Sequence, residues 1–226
     1  EITTRLVGSE MCIRDRFIDY LGAKDTAYNR AVCRKSFTAA VTRAMIPGYK
    51  YDNMVILAGP QGIGKSTLLD KMSRGWFNDS IRTFEGKDAS ELLQGVWLVE
   101  VSELDAFRKT DVARIKQFLS LRADRYRAAY GRHVSELPRQ CVFFGSTNTT
   151  DFLQDTTGNR RFWPVDVGEQ PHAKTVWRDL TDDVIDQLWA EAKARWQAGE
   201  SLYLSGDVEQ EAKIKHCLLY TSPSPR

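Results

Sequence analysis

The sequence contains no long apolar run, since none of its apolar stretches approaches the roughly 20 residues that cross a bilayer. A membrane-spanning protein is therefore not expected. The chain has only four cysteines among 226 residues, and none of them forms a CxxC pair, which argues against a zinc site and against a secreted disulfide framework. This cysteine usage makes a reducing cytoplasm the default expectation. Repeats and low-complexity segments are missing as well.

What the chain does contain is typical of a globular domain, with 42% hydrophobic and 27% charged residues. The length suits one α/β domain with additions better than two full domains. The net charge of +2 hides an asymmetry, because residues 108–161 carry 11 Lys and Arg against 5 Asp and Glu, whereas residues 169–211 carry 4 against 10. A basic stretch is thus followed by an acidic one.

The two ends differ from the rest of the chain. Residues 1–16 have scattered positive charge without a continuous apolar stretch, so they do not form a secretory signal. Residues 216–226 do not continue the acidic helical pattern before them. Both ends resemble translated sequencing-adapter strings and are expected to be non-native tails of a truncated gene; the alternative is a pair of disordered termini. The expected units are then a core with a preceding helix at 17–168 and a helical C-terminal part at 169–215.

The apolar runs at 54–58, 96–99 and 141–144 predict the fold class. They show no alternation, a pattern typical of strands buried on both faces of a parallel sheet. Helical spacing precedes the first run over 26–46 and recurs with acidic residues from 177 to 196. We expect an α/β fold with a three-layer core, a central mostly parallel sheet and a small helical C-terminal part.

The clearest motif is a glycine-rich segment between the strand predicted at 54–58 and a helix predicted from residue 67. Residues 59–66, here called the phosphate loop, have the sequence GPQGIGKS and match GxxxxGK[ST] at every fixed position. Glycines let successive backbone N–H groups point to one spot, and a helix N-terminus adds further donors. Polyphosphate is the expected occupant, and the expected class is a P-loop NTPase.

ATP and Mg²⁺ are therefore the expected cofactors. Lys65 would reach the β- and γ-phosphates, and the Ser66 hydroxyl would bind Mg²⁺. The alternative, a glycine turn that only closes a hairpin, is disfavoured by the strand and the helix on its two sides. The expected nucleotide-binding residues are Gly59, Pro60, Gln61, Gly62, Ile63, Gly64, Lys65, Ser66 and Thr67.

Hydrolysis also needs an acidic residue near the metal. The apolar run 96–99 leads into Glu100 and Glu103. Glu103, at the predicted strand exit, is expected to be the catalytic carboxylate, with Glu100 as its rival or as the metal-side partner. Both are candidate Mg²⁺ ligands together with Ser66. The alternative for each is an ordinary solvated acidic loop.

A polar residue that orients the attacking water is expected at the end of the next buried strand. The apolar run 141–144 leads through a short polar stretch to Asn148. An amide at a strand end beside a phosphate loop can hydrogen-bond both the γ-phosphate and the water. The alternative is an asparagine that serves only turn chemistry.

A basic segment lies between the acids and Asn148. It begins in a helix predicted by Val112, Ile115 and Leu119, and it interleaves Lys, Arg and Tyr up to residue 132. This interleaving suits a phosphate backbone whose bases stack on aromatic rings, so single-stranded nucleic acid is the expected ligand; the alternative is a solvated helix face with its own ion pairs. The expected contact residues are Lys116, Arg122, Arg125, Arg127, Tyr130 and Arg132.

With these residues in order, the chain resembles the virulence-associated E family of phage and genomic-island proteins, and more distantly the superfamily three helicases of the AAA+ class. The resemblance covers about residues 17–205. It implies an AAA+-like ATPase that moves on single-stranded DNA as a hexameric ring, in phage or mobile-element replication in a bacterial cytoplasm, next to a primase or other replication domain lost by truncation. The segments that carry it are YLGAKD, PGYKYDNMVILAGPQGIGKST, WLVEVSELDAF, IKQFLSLRADRYRAAYGR, PRQCVFFGSTNTTDFL, TGNRRFWPV and DQLWAEAKARW.

The resemblance also implies a DNA-contacting loop, whereas the acidic pair of this chain departs from the family pattern. In the distant helicases, a segment of the form K, spacer, D, R, Y carries that loop. This chain departs from the family's common pair of adjacent acids, because two residues separate Glu100 from Glu103. The positions that match the loop segment are Lys116, Asp124, Arg127 and Tyr130.

Two adjacent arginines complete the predicted site. In the ring helicases, a pair of arginines after the sensor supplies an arginine finger to the neighbouring subunit, and Arg160 and Arg161 match it. One is expected to act as the finger and the other to brace the interface; the alternative is an ion pair with Asp155 or Asp166.

The alternative function of the protein is a nucleotide-dependent switch or binding module that regulates a replication or defence partner. A kinase would need a phosphoacceptor site that the sequence does not reveal.

Overall fold

The computed structural model describes residues 13–104, 109–127, 133–148, 159–172 and 174–221. The strands in these residues are β1 (Met54–Ala58), β2 (Phe77–Asn78), β3 (Leu98–Val101), β4 (Ala123–Tyr126), β5 (Ser135–Pro138), β6 (Val142–Thr147) and β7 (Phe162–Asp166). The helices are α1 (Arg16–Leu21), α2 (Ala27–Met45), α3 (Lys65–Ser73), α4 (Gly86–Glu91), α5 (Lys109–Ser120), α6 (Asp182–Gln197) and α7 (Gly206–Thr221). Short 3-10 helices cover Ile13–Asp15 and Asn159–Arg161.

Five parallel strands form the central sheet in the order β2-β3-β6-β1-β7. In this order β1 pairs with β6 on one side and with β7 on the other, so that Ala58 lies opposite both Thr147 and Asp166. Because the strands are parallel, their C-terminal ends meet at one edge of the sheet, here called the carboxyl edge. Their N-terminal ends meet at the opposite, amino edge. Strands β4 and β5 form a separate antiparallel hairpin.

Helices cover both faces of the sheet. In β1, Val55 and Leu57 belong to a core cluster shared with α1, α2, α3, α6 and α7, whereas Met54 and Ile56 belong to a second cluster shared with α4 and α5. Since successive strand residues point to opposite faces, a strand covered on both sides is apolar at every position. The expected α/β fold with a parallel sheet is confirmed.

Some predicted boundaries move in the structure. The strand predicted at 54–58 has those bounds, but the strand predicted at 96–99 spans Leu98–Val101, so that Glu100 lies inside β3 and not beyond its end. The acidic helical region predicted from 177 begins only at Asp182, after a turn. Apolar residues are buried in loops as well as in strands and helices, so an apolar run alone does not locate an element's first residue.

The ends of the described chain pack against the same core. α6 lies against α2, and its residues Ile185 and Leu188 are buried in the cluster that contains Phe37. Ile13 is also buried, and its backbone N–H donates to Glu191 at 2.7 Å.

The division into units, and the non-native origin of residues 1–16 and 216–226, stay predictions. Among the helices of the described ranges, none has the length and apolar character needed to cross a membrane.

Candidate functional site

The phosphate loop leaves β1 at the carboxyl edge of the sheet and leads into α3. Gly64, which precedes α3, has a φ of 95°, in the left-handed region that favours glycine. A Cβ at this position would lie only 2.4 Å from Cγ2 of Val176, so a larger residue would not fit. A helix that begins in this way presents its unpaired backbone N–H groups to the space in front of it, where an anion can accept from them.

Lys65 is the first residue of α3, and its side chain folds back over the loop. Its Nζ donates to the backbone oxygens of Gly59 and Pro60, at 2.5 Å and 3.0 Å. The residue is largely buried, so it is not the surface side chain that its position in a polar loop suggests. Phosphate oxygens are stronger acceptors for an ammonium group than these two carbonyls are.

Ser66 connects the phosphate loop to β3. Its Oγ donates to Oε1 of Glu100 at 2.9 Å. Glu100 is 0% exposed, and its other oxygen, Oε2, accepts no hydrogen bond from the residues that the structure describes. Burial raises the pKa of Glu100, while the hydroxyls of Ser146 and Ser66 act in the opposite direction.

These two residues fit a divalent cation. A hydroxyl and a carboxylate are hard oxygen ligands of the kind that Mg²⁺ prefers. The buried Oε2 of Glu100 lacks a partner among the described residues, and a cation near it would supply one. Ser66 and Glu100 are therefore the residues that could hold Mg²⁺ beside the phosphate loop.

Glu103 and Asn148 lie where β3 and β6 leave the sheet. Glu103 is exposed and has a φ of 56°, an uncommon conformation for a residue other than glycine. Such backbone conformations cluster at functional sites, where they direct a side chain. Asn148 follows β6 directly and is also exposed. The side chains of both are thus accessible at the carboxyl edge.

A cavity of about 290 Å³ brings most of the predicted nucleotide-binding and catalytic residues together. They meet because β6 lies between β1 and β3, so that the ends of all three strands reach the same part of the carboxyl edge. Glu100 is connected to the residues of this cavity by the hydrogen bond that it accepts from Ser66. Ile63 packs against the core, and Gly59 and Pro60 accept hydrogen bonds from Lys65. The predicted residues in the cavity wall are Gln61, Gly62, Gly64, Lys65, Ser66, Thr67, Glu103 and Asn148.

Trp177 also lines this cavity, although the sequence pattern assigned it to a helix. It lies in the turn before α6. Its contact with the site joins segments that are distant in the chain, so no local pattern could have revealed it. The remaining residues of the wall are Ser102, Ser146 and Thr147.

The basic segment forms a hairpin, here called the basic hairpin (residues 123–138). Nε of Arg125 in β4 lies 3.1 Å from Oε2 of Glu136 in β5, and both side chains are exposed. Arg127 follows β4 and is exposed. The residues of β4 form a strand and not a helix, but Arg125 has an exposed ion pair of its own, as the alternative of a solvated face expects. Tyr130 and Arg132 lie outside the described residues.

The two other predicted nucleic-acid residues lie close to the body of the domain. The Nε of Arg122 donates to the backbone oxygen of Gly48 at 2.8 Å, although the residue is exposed. Lys116, on α5, is half-buried, and its Nζ lies 5.9 Å from the centre of the Phe162 ring. Phe162 begins β7, so Lys116 is near the amino edge and not in the hairpin.

Arg160 and Arg161 also lie at the amino edge. They precede β7, whose first residue pairs with the first residue of β1. Nε of Arg161 is 3.3 Å from Oδ2 of Asp52, so Arg161 has an ion pair with this residue. Of the two partners considered, Asp155 lies outside the described residues and Asp166 is at the other end of β7. The side chain of Arg160 is exposed. β1 has five residues, which at about 3.3 Å each separate the pair by roughly 15 Å from the phosphate loop of its own chain.

Comparison with known proteins identifies a family and a fold. The model of the virulence-associated protein E-like domain matches residues 7–217. An apo structure of the NrS-1 C-terminal region (305–718) is 16% identical, with a TM-score of 0.51 over 88% of this chain and 50% of that one. The A form apo structure of the same region is 16% identical, with a TM-score of 0.55 over 94% of this chain and 51% of that one.

The likeness to these structures concerns the fold. The chain spans about half the length of the NrS-1 chains that it matches. No curated protein matches its sequence.

Proposed function

The chain belongs to the virulence-associated protein E-like domain family, and on this premise we propose that it is a P-loop ATPase that moves on single-stranded DNA in phage or mobile-element replication. The observation that carries the proposal is the cavity shared by Lys65, Glu103 and Asn148 beside the phosphate loop. A glycine turn that only closed a hairpin would not need a buried ammonium, an acid and an amide around one cavity.

Nucleotide binding uses the loop and the start of α3. The unpaired N–H groups before α3 hold the β-phosphate, and Lys65 exchanges its bonds to Gly59 and Pro60 for phosphate oxygens. Mg²⁺, when bound, neutralises charge on the β- and γ-phosphates. Ser66 and Glu100 would hold it, which would use the carboxylate oxygen of Glu100 that has no hydrogen-bond partner in the described structure.

Hydrolysis uses the two groups at the strand ends. Glu103, exposed in the cavity wall, orients a water molecule and accepts its proton. The water oxygen forms a bond to the γ-phosphorus while the bond from that phosphorus to the β–γ bridging oxygen breaks, so that ADP leaves with the bridging oxygen. The Asn148 amide donates to the γ-phosphate and fixes the water. The positions of the acids support Glu103 as the catalytic carboxylate, because Glu100 is enclosed beside Ser66.

The arginine pair acts on a neighbouring subunit. Roughly 15 Å separates the pair from the phosphate loop of its own chain, which is too far for a side chain to span with ease. In a closed ring, the amino edge of one subunit can face the carboxyl edge of the next. Arg160, which is exposed, is then the finger, and Arg161, which is paired with Asp52, braces the interface. The proposed assembly is a homo-hexamer.

The basic hairpin contacts single-stranded DNA. Residues 139–141 join its base, where Ala123 pairs with Pro138, to the start of β6 at the amino edge. Arg125 and Arg127 point into solvent from the first strand. Such groups neutralise phosphates without regard to base sequence. The hairpin and the arginine pair share an edge, which would let DNA contact respond to the state of the neighbouring subunit.

ATP turnover with and without oligo-dT tests the proposal. We expect oligo-dT to stimulate hydrolysis, and Lys65→Ala to lower turnover by about 10²-fold or more, because the ammonium stabilises charge in the transition state. Lys87→Ala, an exposed lysine on α4, is the matched control and should leave turnover unchanged. Hydrolysis that survives Lys65→Ala within a few-fold would contradict the assignment of the phosphate loop.

The same measurements distinguish the alternative, a nucleotide-dependent switch or binding module. A switch would bind ATP but show little turnover and no response to oligo-dT. Mass photometry with an ATP analogue and oligo-dT tests the ring, since the motor requires assembly whereas the switch does not. Monomers under every condition would contradict the hexamer.

A further inference from the structure

Trp177 is an exposed tryptophan beside the cavity of the phosphate loop. Its relative exposure is 57%, whereas its neighbours Val176 and Leu180 are at 0% and 2%. Leaving so large an aromatic surface in water forgoes the free energy that its burial would contribute. The surrounding turn therefore presents the ring while its apolar neighbours anchor it.

The turn that carries Trp177 is held in place from two sides. Nζ of Lys71 on α3 donates to the backbone oxygens of Val176, Trp177 and Leu180, at 2.8 Å, 3.2 Å and 3.3 Å. Oδ2 of Asp179 accepts from the backbone N–H of Thr175 at 2.7 Å. The backbone that carries the ring is thus already ordered, and this order lowers the entropy cost of a contact between the ring and a ligand.

The ring lies between two cavities. One is the cavity of the phosphate loop, and the other, of about 590 Å³, is also lined by Asp70, Arg74 and Thr181. A Cβ built on Gly64 would lie 3.4 Å from Cη2 of Trp177, so the ring stands directly beside the start of α3. A ligand that extended from the first cavity to the second would contact this ring, because Trp177 lines both.

We propose that Trp177 stacks on the base of the bound nucleotide. The proposal rests on the proposed function, since it extends the ligand from the phosphate loop across the ring. A flat base has a π-face that an indole ring can cover, and the exposed face of Trp177 is the aromatic surface next to the cavity. The polar walls of the second cavity provide hydrogen-bonding groups for the ribose hydroxyls and the base edge. Trp177 is therefore a binding residue for the nucleoside.

Calorimetric titration with two probes, each in Mg²⁺, tests this role. The first probe is β,γ-methylene ATP, which has a base, and the second is inorganic tripolyphosphate, which has none. We expect Trp177→Ala to weaken binding of the ATP analogue by about 5- to 100-fold and to leave tripolyphosphate binding within two-fold of wild type. Trp177→Phe keeps an aromatic face and should retain most of the affinity for the analogue.

Trp76→Ala is the matched control, because Trp76 is 60% exposed and lies before β2, at the amino edge. It should leave the affinity for both probes unchanged. Thermal unfolding of each variant establishes that the fold is intact. Since Trp177 is exposed, its replacement should move the melting temperature only slightly.

Any other outcome of the titrations contradicts either the stacking of Trp177 on the base or the proposed function itself. If Trp177→Ala binds the ATP analogue as wild type does, the ring does not stack on the base. If the variant loses affinity for both probes equally, Trp177 shapes the phosphate loop and stacking is again excluded. If wild-type protein binds neither probe, the proposed function itself fails. The last result differs from the other two because it appears before any residue is changed.

Discussion

Arg139 donates two hydrogen bonds of 2.7 Å to the carboxylate of Asp124, and both side chains are buried. Asp124 lies in β4 and Arg139 follows β5, so the pair joins both strands at the base of the basic hairpin. Nη1 of Arg139 also donates to the backbone oxygen of Phe118, at 2.5 Å, and the guanidinium lies 4.1 Å from the centre of that ring. The hairpin is therefore attached to α5 and to the core.

Replacing Asp124 by alanine should destabilise the protein by about 3–5 kcal/mol, because it leaves a buried guanidinium without its counter-charge. Arg125→Ala is the control from the same strand, since its ion pair with Glu136 is exposed and contributes only about 0–1 kcal/mol. Urea unfolding of both variants at neutral pH gives the comparison. Equal losses would show that the buried pair has no special role in stability.

Glu103→Gln should leave ATP bound but not hydrolysed, because the amide keeps the shape of the side chain and cannot accept the proton of the water. Glu100→Gln should instead weaken Mg²⁺-dependent nucleotide binding. Binding of a fluorescent ATP analogue with and without Mg²⁺, measured beside turnover, separates the two effects. Exchanged phenotypes would mean that Glu100 is the catalytic acid.

Glu100 should also make the nucleotide-free protein less stable as the pH rises. Burial raises the pKa of its carboxyl group in the folded state above the ordinary value of 4.5, so the folded state holds this proton more tightly than the unfolded state does. The favourable contribution is complete below about pH 4.5 and is lost as the pH rises through the folded-state pKa. The free energy of unfolding of Glu100→Gln minus that of wild type, measured without Mg²⁺, should therefore grow as the pH rises from about 4.5 through the folded-state pKa. A pH-independent difference would contradict this effect.

Arg127→Ala should weaken binding of oligo-dT and of mixed-sequence single strands by similar factors. If the side chain contacts one phosphate, the slope of log affinity against log salt should also fall by about 0.7. Lys24→Ala is the control and should change neither quantity, because Lys24 is exposed and its Nζ lies 3.3 Å from Glu169, which follows β7 at the carboxyl edge, opposite the base of the hairpin. Basal hydrolysis should persist in both variants. An unchanged salt slope for Arg127→Ala would remove this residue from the DNA interface.

Mixed subunits should test the arginine finger. Lys65→Ala subunits cannot hydrolyse ATP in their own site, and Arg160→Ala subunits cannot supply the finger. A mixture should regain part of the ATPase activity, because an intact phosphate loop can then face an intact Arg160. Arginine fingers of this type increase the rate of hydrolysis by about 10³- to 10⁵-fold. Arg161→Ala alone should have the weaker effect. A mixture that stays inactive, although mass photometry shows co-assembly, would place Arg160 outside the neighbouring site.

Those parts of this protein that depend on neighbouring residues could be predicted before the structure was known. The phosphate loop follows a strand whose predicted bounds at 54–58 match the structure, because both the apolar run and the GxxxxGKS pattern are local. The helix over Ala27–Met45 was predicted for the same reason, since its residues and the Pro47 that follows lie in one segment. A candidate role in binding or catalysis could be predicted for a residue wherever its type and its spacing from other residues in the chain were enough to indicate that role.

How these parts meet depends on the packing of distant segments and could not be predicted from local patterns. The order of the strands brings Glu103 and Asn148 to one cavity, and the register of β3 encloses Glu100 beside Ser66. Packing also places Trp177 at that cavity and Arg160 at the opposite edge of the sheet. These relationships join residues far apart in the chain, and their energy comes from side chains packed between strands and helices. Such contacts cannot be predicted from a local pattern, because the same apolar run can pair with neighbouring strands in more than one register and be buried in each.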